Sequence, residues 1–150
     1  VFCLDAEGGV WLSRIVVRFQ KKFFADANRF IHVDCGYFRS MVVSIGCDHA
    51  GPELKSLIVN HLESKGHTLV NRGTDGPESV DYPDHAHAVA DDVASGHAEL
   101  GILICGSANG VAMTANKHPE VRAAMAWTPE VAALGRQHNN AVGMCILCRL

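Results

Sequence analysis

The chain has little surplus charge of either sign. Thirteen Lys and Arg stand against sixteen Asp and Glu, a formal net charge of −3 with nine histidines neutral. That balance argues against nucleic acid or an acidic membrane surface as the main partner. No apolar run reaches transmembrane length. Low-complexity tracts and internal repeats are missing, and no linker follows Met41, so 150 residues suit one domain of ordinary size. The six cysteines, Cys3, Cys35, Cys47, Cys105, Cys145 and Cys148, pair with no histidines at zinc-finger spacing, and several lie in apolar, strand-like runs. Reduced thiols in a cytoplasmic protein fit that pattern better than a disulfide framework. Cys145 and Cys148 have C-x-x-C spacing, but inside Met144-Cys145-Ile146-Leu147-Cys148 they read as strand residues. What is present is enough apolar material for a core: 48% of residues are hydrophobic and 19% charged.

Residues 1–40 differ from the rest. They carry six basic residues against four acidic ones, whereas residues 41–150 carry seven against twelve. Trp11, Leu12, Ile15, Val16, Phe19 and Phe23 recur at helical spacing, as in a basic amphipathic helix. The regular pattern begins only at Met41, so residues 1–40 are expected to be an N-terminal extension outside the core. A targeting segment fits less well, because the stretch contains acids, little Ser and no signal-peptide core.

From Met41 the pattern alternates. Val42–Cys47 reads as a buried strand, followed by Asp48-His49-Ala50-Gly51 and a helix with Leu54, Leu57, Ile58 and Leu62 on one face, closed by Gly66. A short strand is expected over His67–Asn71, a loop over Arg72–Pro83, and a second helix marked by Ala86, Val89, Ala90 and Val93. Leu100–Cys105 is the third strand, Asn109–Lys117 opens the third helix, and Val121–Trp127 is the fourth strand. Thr128 then caps a helix with Pro129 in its first position, running to about Gln137, and Met144–Cys148 is the fifth strand. Strands alternating with single helices predict an α/β fold: a Rossmann-like or flavodoxin-like five-stranded parallel sheet, helices on both faces, strand order 2-1-3-4-5.

The stretch that organises this pattern is Leu100–Lys117. Its strand runs into Cys105-Gly106-Ser107-Ala108-Asn109-Gly110 and then into a helix. Such a turn gathers backbone N–H groups at a helix N-terminus, where anionic oxygens are favoured. A thiol beside an anion-binding nest can ionise more easily and act as base or nucleophile. The same turn also fits a tight strand-to-helix connection with a buried cysteine. Asp48, His49, Cys105 and Ser107 are expected around one crevice at the switch point between strands one and three. Tyr82-Pro83 suits ordinary turn chemistry, and His138 suits a helix end facing the dipole.

Taken together, four motifs resemble one family. Ile45-Gly46-Cys47-Asp48-His49-Ala50-Gly51, the Asp81-Tyr82-Pro83-Asp84 run, the stretch Ile104–Lys117 and Arg136-Gln137-His138-Asn139 are similar, in order and spacing, to the type B ribose-5-phosphate isomerases and their galactose-6-phosphate isomerase relatives. The resemblance implies an aldose–ketose isomerase acting on a phosphorylated sugar, built as a homodimer or dimer of dimers with shared sites. By the same resemblance Cys105 is the base that shuttles a proton between C2 and C1 through an enediolate. Some members place a glutamate just after the glycine turn, where this chain has Val111, so the chain looks like the cysteine type. Ser107 and the N–H groups of Gly106 to Gly110, Asn109 among them, would stabilise the oxyanion. Asp48 and His138 would handle sugar hydroxyls and ring opening, Tyr82 and Asn139 would contact substrate, and His49 and Arg149 would hold the phosphate. Such a proton shift needs no metal or organic cofactor.

This chain departs from the family where Ala108 replaces a usual glycine and where Asn140-Ala141-Val142-Gly143 leads into strand five. The family also implies further helices beyond strand five. The chain stops at Leu150, so residues 41–150 are expected to form a C-terminally truncated domain with weakened catalysis. The competing readings are an isomerase of a six-carbon sugar phosphate, such as allose or galactose 6-phosphate, and a non-catalytic phosphate- or nucleotide-binding module. A cysteine phosphatase would want an arginine six residues after Cys105, where Val111 stands.

Overall fold

The structure, a computed structural model, describes residues 40–148. Arg149 and the basic amphipathic stretch before residue 40 lie outside the described residues. In chain order the elements are β1 (Val42–Cys47), α1 (Pro52–Ser64), β2 (Thr68–Asn71), α2 (Tyr82–Ala94), β3 (Leu100–Cys105), α3 (Asn109–Ala115), β4 (Ala123–Met125), α4 (Pro129–Asn139) and β5 (Gly143–Leu147). All strand pairs are parallel, as the alternation of strands and helices predicts.

The order is β2-β1-β3-β5-β4, which corrects the expected order 2-1-3-4-5 in its last two places. The physical reason lies in burial and handedness. Gly143–Ile146 is buried on both faces, as an inner strand must be, while the three residues of β4 are only half-buried and suit an edge. Right-handed crossovers put helices of rightward connections on one face and helices of leftward connections on the other. The Ala132 side of α4 packs with Leu54, Ile58 and Leu62 of α1 over Val43, Ile45, Ile102, Ile104, Met144 and Ile146. Because α4 shares the face of α1, the chain must step back from β4 to β5. The opposite face carries α2 and α3, whose Val89, Ala90, Val111 and Ala112 pack with Leu103, Cys105 and Cys145.

Local signals account for the helix starts. Thr128 has extended backbone, its Oγ1 accepts the Val131 N–H at 3.3 Å, and Pro129 opens α4. The second helix starts at Tyr82, inside the segment expected to be loop, with Pro83 in its first turn. On α1 the buried side is Leu54, Lys55, Ile58 and Leu62, and Leu57 is 50% exposed. This corrects the expected face: at 100° per residue Leu57 lies well off the arc shared by positions 54, 58 and 62, whereas Lys55 lies close to it. Among the described residues, no helix is long and apolar enough to cross a membrane.

Candidate active site

The carboxyl ends of β1 and β3 are stitched together. The Asp48 N–H donates to the Ile104 carbonyl at 3.2 Å, so the turn after β1 begins beside the end of β3. Asp48 is largely buried, and its Oδ1 accepts the Ala50 N–H at 2.9 Å, an Asx turn that shapes the entry to α1. His49 follows; its Nδ1 is buried and has no hydrogen-bond partner among the described residues.

Cys105 closes β3 and is 5% exposed. The Ala108 N–H donates to Cys105 Sγ at 3.2 Å across the turn. Ala108 is fully buried and adopts a left-handed backbone, φ +62°. An L-residue pays an energetic penalty there of roughly 1–2 kcal/mol. Gly106 is half-buried, Ser107 and Asn109 are exposed, and Asn109 and Gly110 open α3. A Cβ on Gly110 would stand 2.7 Å from the Tyr82 ring, so the absence of a side chain lets Tyr82 lie against the start of α3. The structure therefore brings Asp48, His49, Tyr82, Cys105, Gly106, Ser107, Asn109 and Gly110 to the same edge of the sheet.

His138 and Asn139 lie at the other edge. They are exposed at the end of α4, and the chain then passes through Asn140 and Ala141 to Val142, whose carbonyl accepts the Gly101 N–H at 2.9 Å at the start of β3. The length of β3 separates them from Cys105, roughly 15–20 Å at the usual rise of a strand. Arg136 holds this end, its Nη1 donating to Asn140 Oδ1 at 2.8 Å and to the Ala141 carbonyl at 3.3 Å.

Sequence reasoning missed three features, two of them at the Cys105 edge. Cys148, just past β5, donates its N–H to the Cys105 carbonyl at 3.1 Å and its thiol to the Ala50 carbonyl at 3.2 Å, buttressing both turns. Lys55 is buried and sends its ammonium to Asn71, Thr74 and Asp75. Arg72 makes a bidentate pair with buried Asp92, through Nε to Oδ2 and Nη2 to Oδ1, each at 2.8 Å, and Ser44 Oγ donates to the same carboxylate at 2.7 Å. A lysine on the apolar arc of α1, and Ser44 and Asp92 inside apolar runs, were the available signals.

The electrostatics separate the cysteines. Burial pushes Cys47 up to about 11, although Lys55 opposes it. Burial, with Cys105 nearby, pushes Cys145 up to about 12. None of the four described cysteines is in a disulfide. Cys145 and Cys148 belong to opposite faces of the sheet, so their C-x-x-C spacing brings no sulfur pair together. Hydrogen bonds from Arg72 hold Asp92 below the usual carboxylate range, and Lys55 does the same for Asp75. Among the described residues, no group of three or more His, Cys, Asp or Glu could hold a metal ion.

The sequence profile of a family described as Ribose/Galactose Isomerase matches residues 43–150. Galactose-6-phosphate isomerase subunit LacB of Clostridium acetobutylicum is 42% identical over 101 residues, 67% of this chain and 58% of that protein. Ribose-5-phosphate isomerase B of Escherichia coli is 44% identical over 98 residues, 65% of this chain and 66% of that protein. The chain thus spans less than two thirds of the length of either relative. Among solved structures, the Thermotoga maritima ribose 5-phosphate isomerase aligns at TM-score 0.72 and 40% identity, covering 75% of this chain and 77% of that one. The Mycoplasma genitalium ribose-5-phosphate isomerase B, solved with bound ribulose 5-phosphate, aligns at TM-score 0.70 and 43% identity, covering 72% of each chain.

Proposed function

The chain belongs to the Ribose/Galactose Isomerase family, and from that premise we propose that it interconverts ribose 5-phosphate and ribulose 5-phosphate. The observation that carries the reading is the Cys105 thiol at the end of β3, accepting the Ala108 N–H at 3.2 Å, with Asp48 joined to the preceding Ile104 and Tyr82 against Gly110 of the same turn. The solved relative with bound ribulose 5-phosphate supports the choice of substrate. In the reaction Asp48 assists opening of the sugar ring. The Cys105 sulfur takes the C2 proton of the open aldose, and the electron pair moves toward the carbonyl to give an enediolate. The N–H groups of Gly106 to Gly110, with Ser107, hold the oxygen that gains charge. The proton returns from sulfur to C1 while the O2 proton passes to O1, which leaves the ketose. Tyr82 borders the sugar, and His49 offers its buried ring nitrogen to the phosphate side, with Arg149 as a further phosphate ligand.

The separation of His138 and Asn139 from Cys105 supports a homodimer with shared sites. In it the partner's His138 and the partner's Asn139 complete the site of the first protomer. Residues 41–150 form the catalytic domain, and the compartment is the cytoplasm.

Incubating the protein with ribose 5-phosphate and following ribulose 5-phosphate tests the reading; no product at any protein concentration would end it. The LacB relative favours a second reading, a six-carbon sugar phosphate as substrate. A higher kcat/KM for galactose 6-phosphate than for ribose 5-phosphate would select it.

A further inference from the structure

The Lys55 ammonium sits in the first turns of α1, one turn past the Asp48–Gly51 stretch, and its side chain is 3% exposed. Its own N–H donates to the Gly51 carbonyl at 2.9 Å. The Nζ donates to Asn71 Oδ1 at 3.0 Å, to the Thr74 carbonyl at 2.7 Å and to Asp75 Oδ1. Each of the three ammonium protons thus has an acceptor, which is what a buried lysine requires. All three acceptors lie in the segment that leaves β2. Asn71 Oδ1 also accepts the Gly73 N–H at 3.0 Å, which curls the segment, and the Thr74 N–H reaches the Cys47 carbonyl at 3.3 Å. Gly73 presses on the end of β1 so closely that a Cβ there would stand 2.4 Å from Cys47 N.

The same segment is held from the other face of the sheet. Arg72 pairs with Asp92 of α2, and the Arg72 carbonyl is 2.7 Å from His85 Nδ1, one turn into α2 from Tyr82. Residues 71–75 therefore wrap the carboxyl end of the sheet and tie α1 on one face to α2 on the other. One end of the tie sets the Asp48–Gly51 turn, and the other sets the start of α2, where Tyr82 lies against Gly110.

We propose that Lys55 is a positioning residue for the sugar-phosphate site, fixing the distance between the Asp48–His49 turn and Tyr82 through its hold on residues 71–75. The proposal rests on the isomerase reading for its substrate. The lysine acts on the turn that carries Asp48 and on the Tyr82 wall, so its loss raises KM and, through Asp48, lowers kcat. Misplacing positioned groups by about an ångström costs up to about 10²-fold in rate.

The test compares the parent with Lys55→Met, Asp75→Ala and Asp75→Asn. Readouts are kcat and KM for ribose 5-phosphate and amide hydrogen exchange over residues 71–82. Asp75 is 78% exposed, so its variants keep the fold even where Lys55→Met does not. The expected result is a kcat/KM lowered about tenfold or more in Lys55→Met, with KM raised and faster exchange over 71–76. Asp75→Ala moves both readouts the same way by less, and Asp75→Asn, which keeps an oxygen acceptor, returns KM to near the parent value. Parent-like KM and exchange in the Asp75→Ala variant, or a lower melting temperature in Lys55→Met with KM unchanged, would overturn the proposal. A parent without turnover overturns the isomerase reading separately. Exchange over 71–76 and ribose 5-phosphate affinity by calorimetry then decide the role of Lys55.

Discussion

The backbone N–H of Ala108 meets the sulfur of Cys105 at 3.2 Å, and Ala108 turns left-handed, φ +62°, to aim it. An alanine tolerates this conformation at a cost of roughly 1–2 kcal/mol. Glycine would remove that cost but also lose a buried methyl, about 0.8 kcal/mol. Ala108→Gly should therefore change stability by no more than about 1 kcal/mol. Ala108→Val, β-branched in a region hostile to such side chains and with no room in the packed cluster, should lose more than about 2 kcal/mol. Urea melts of both variants check the pair; equal stabilities would show that the left-handed turn is not a constraint.

Tyr82 and Gly110 form a second coupled pair. Alanine in a helix is ordinarily worth about 0.5–1 kcal/mol over glycine. In the parent, Gly110→Ala must displace the Tyr82 ring, which its Cβ would approach to 2.7 Å, so the substitution should destabilise and raise KM. In a Tyr82→Ala background the obstruction is gone and Gly110→Ala should stabilise. A double-mutant cycle measures this coupling, and additive effects would contradict the contact.

Much of this arrangement was legible from residue patterns. The apolar runs Val42–Cys47 and Leu100–Cys105 match β1 and β3 because strands buried on both faces carry no alternation to misread. Thr128-Pro129 announced α4 through its capping chemistry. Strand order was not legible, since it depends on which face α4 covers, and Ala132, Ala133 and Gly135 mark a buried stripe without saying against which strands. The Cys105 edge could be read from its motif, but the placement of His138 and Asn139 at the opposite edge follows from helix direction in a parallel sheet. Lys55 hid because a lysine is read as solvent-facing unless its acceptors, here in a segment sixteen to twenty residues later, are known.

The Arg72–Asp92–Ser44 network predicts a dependence of stability on pH. Arg72 holds Asp92 below its unfolded value, about 3.9. The contribution is therefore present above that value and is lost as pH falls through the lower folded one. Asp92→Asn should cost about 2–3 kcal/mol near pH 7, and the gap between parent and variant should narrow below about pH 4. Melts between pH 3 and 7 check the sign; a gap that widened in acid would contradict it.

Cys47 and Cys145 should be inert in the folded protein, because burial raises both, to about 11 and about 12. Iodoacetamide at pH 8 should leave both unmodified until the chain unfolds. Peptide mapping reads this directly, and rapid native labelling of either would show that the sheet opens at those positions.

The central claim is that the Cys105 sulfur is the base. The most direct measurement is turnover of ribose 5-phosphate by Cys105→Ala, with circular dichroism and oligomeric state compared to the parent. Loss of a general base typically lowers the rate about 10²–10⁴-fold. The account predicts a loss of that size in kcat with the fold and assembly intact, and a folded Cys105→Ala variant working at near the parent rate would contradict it.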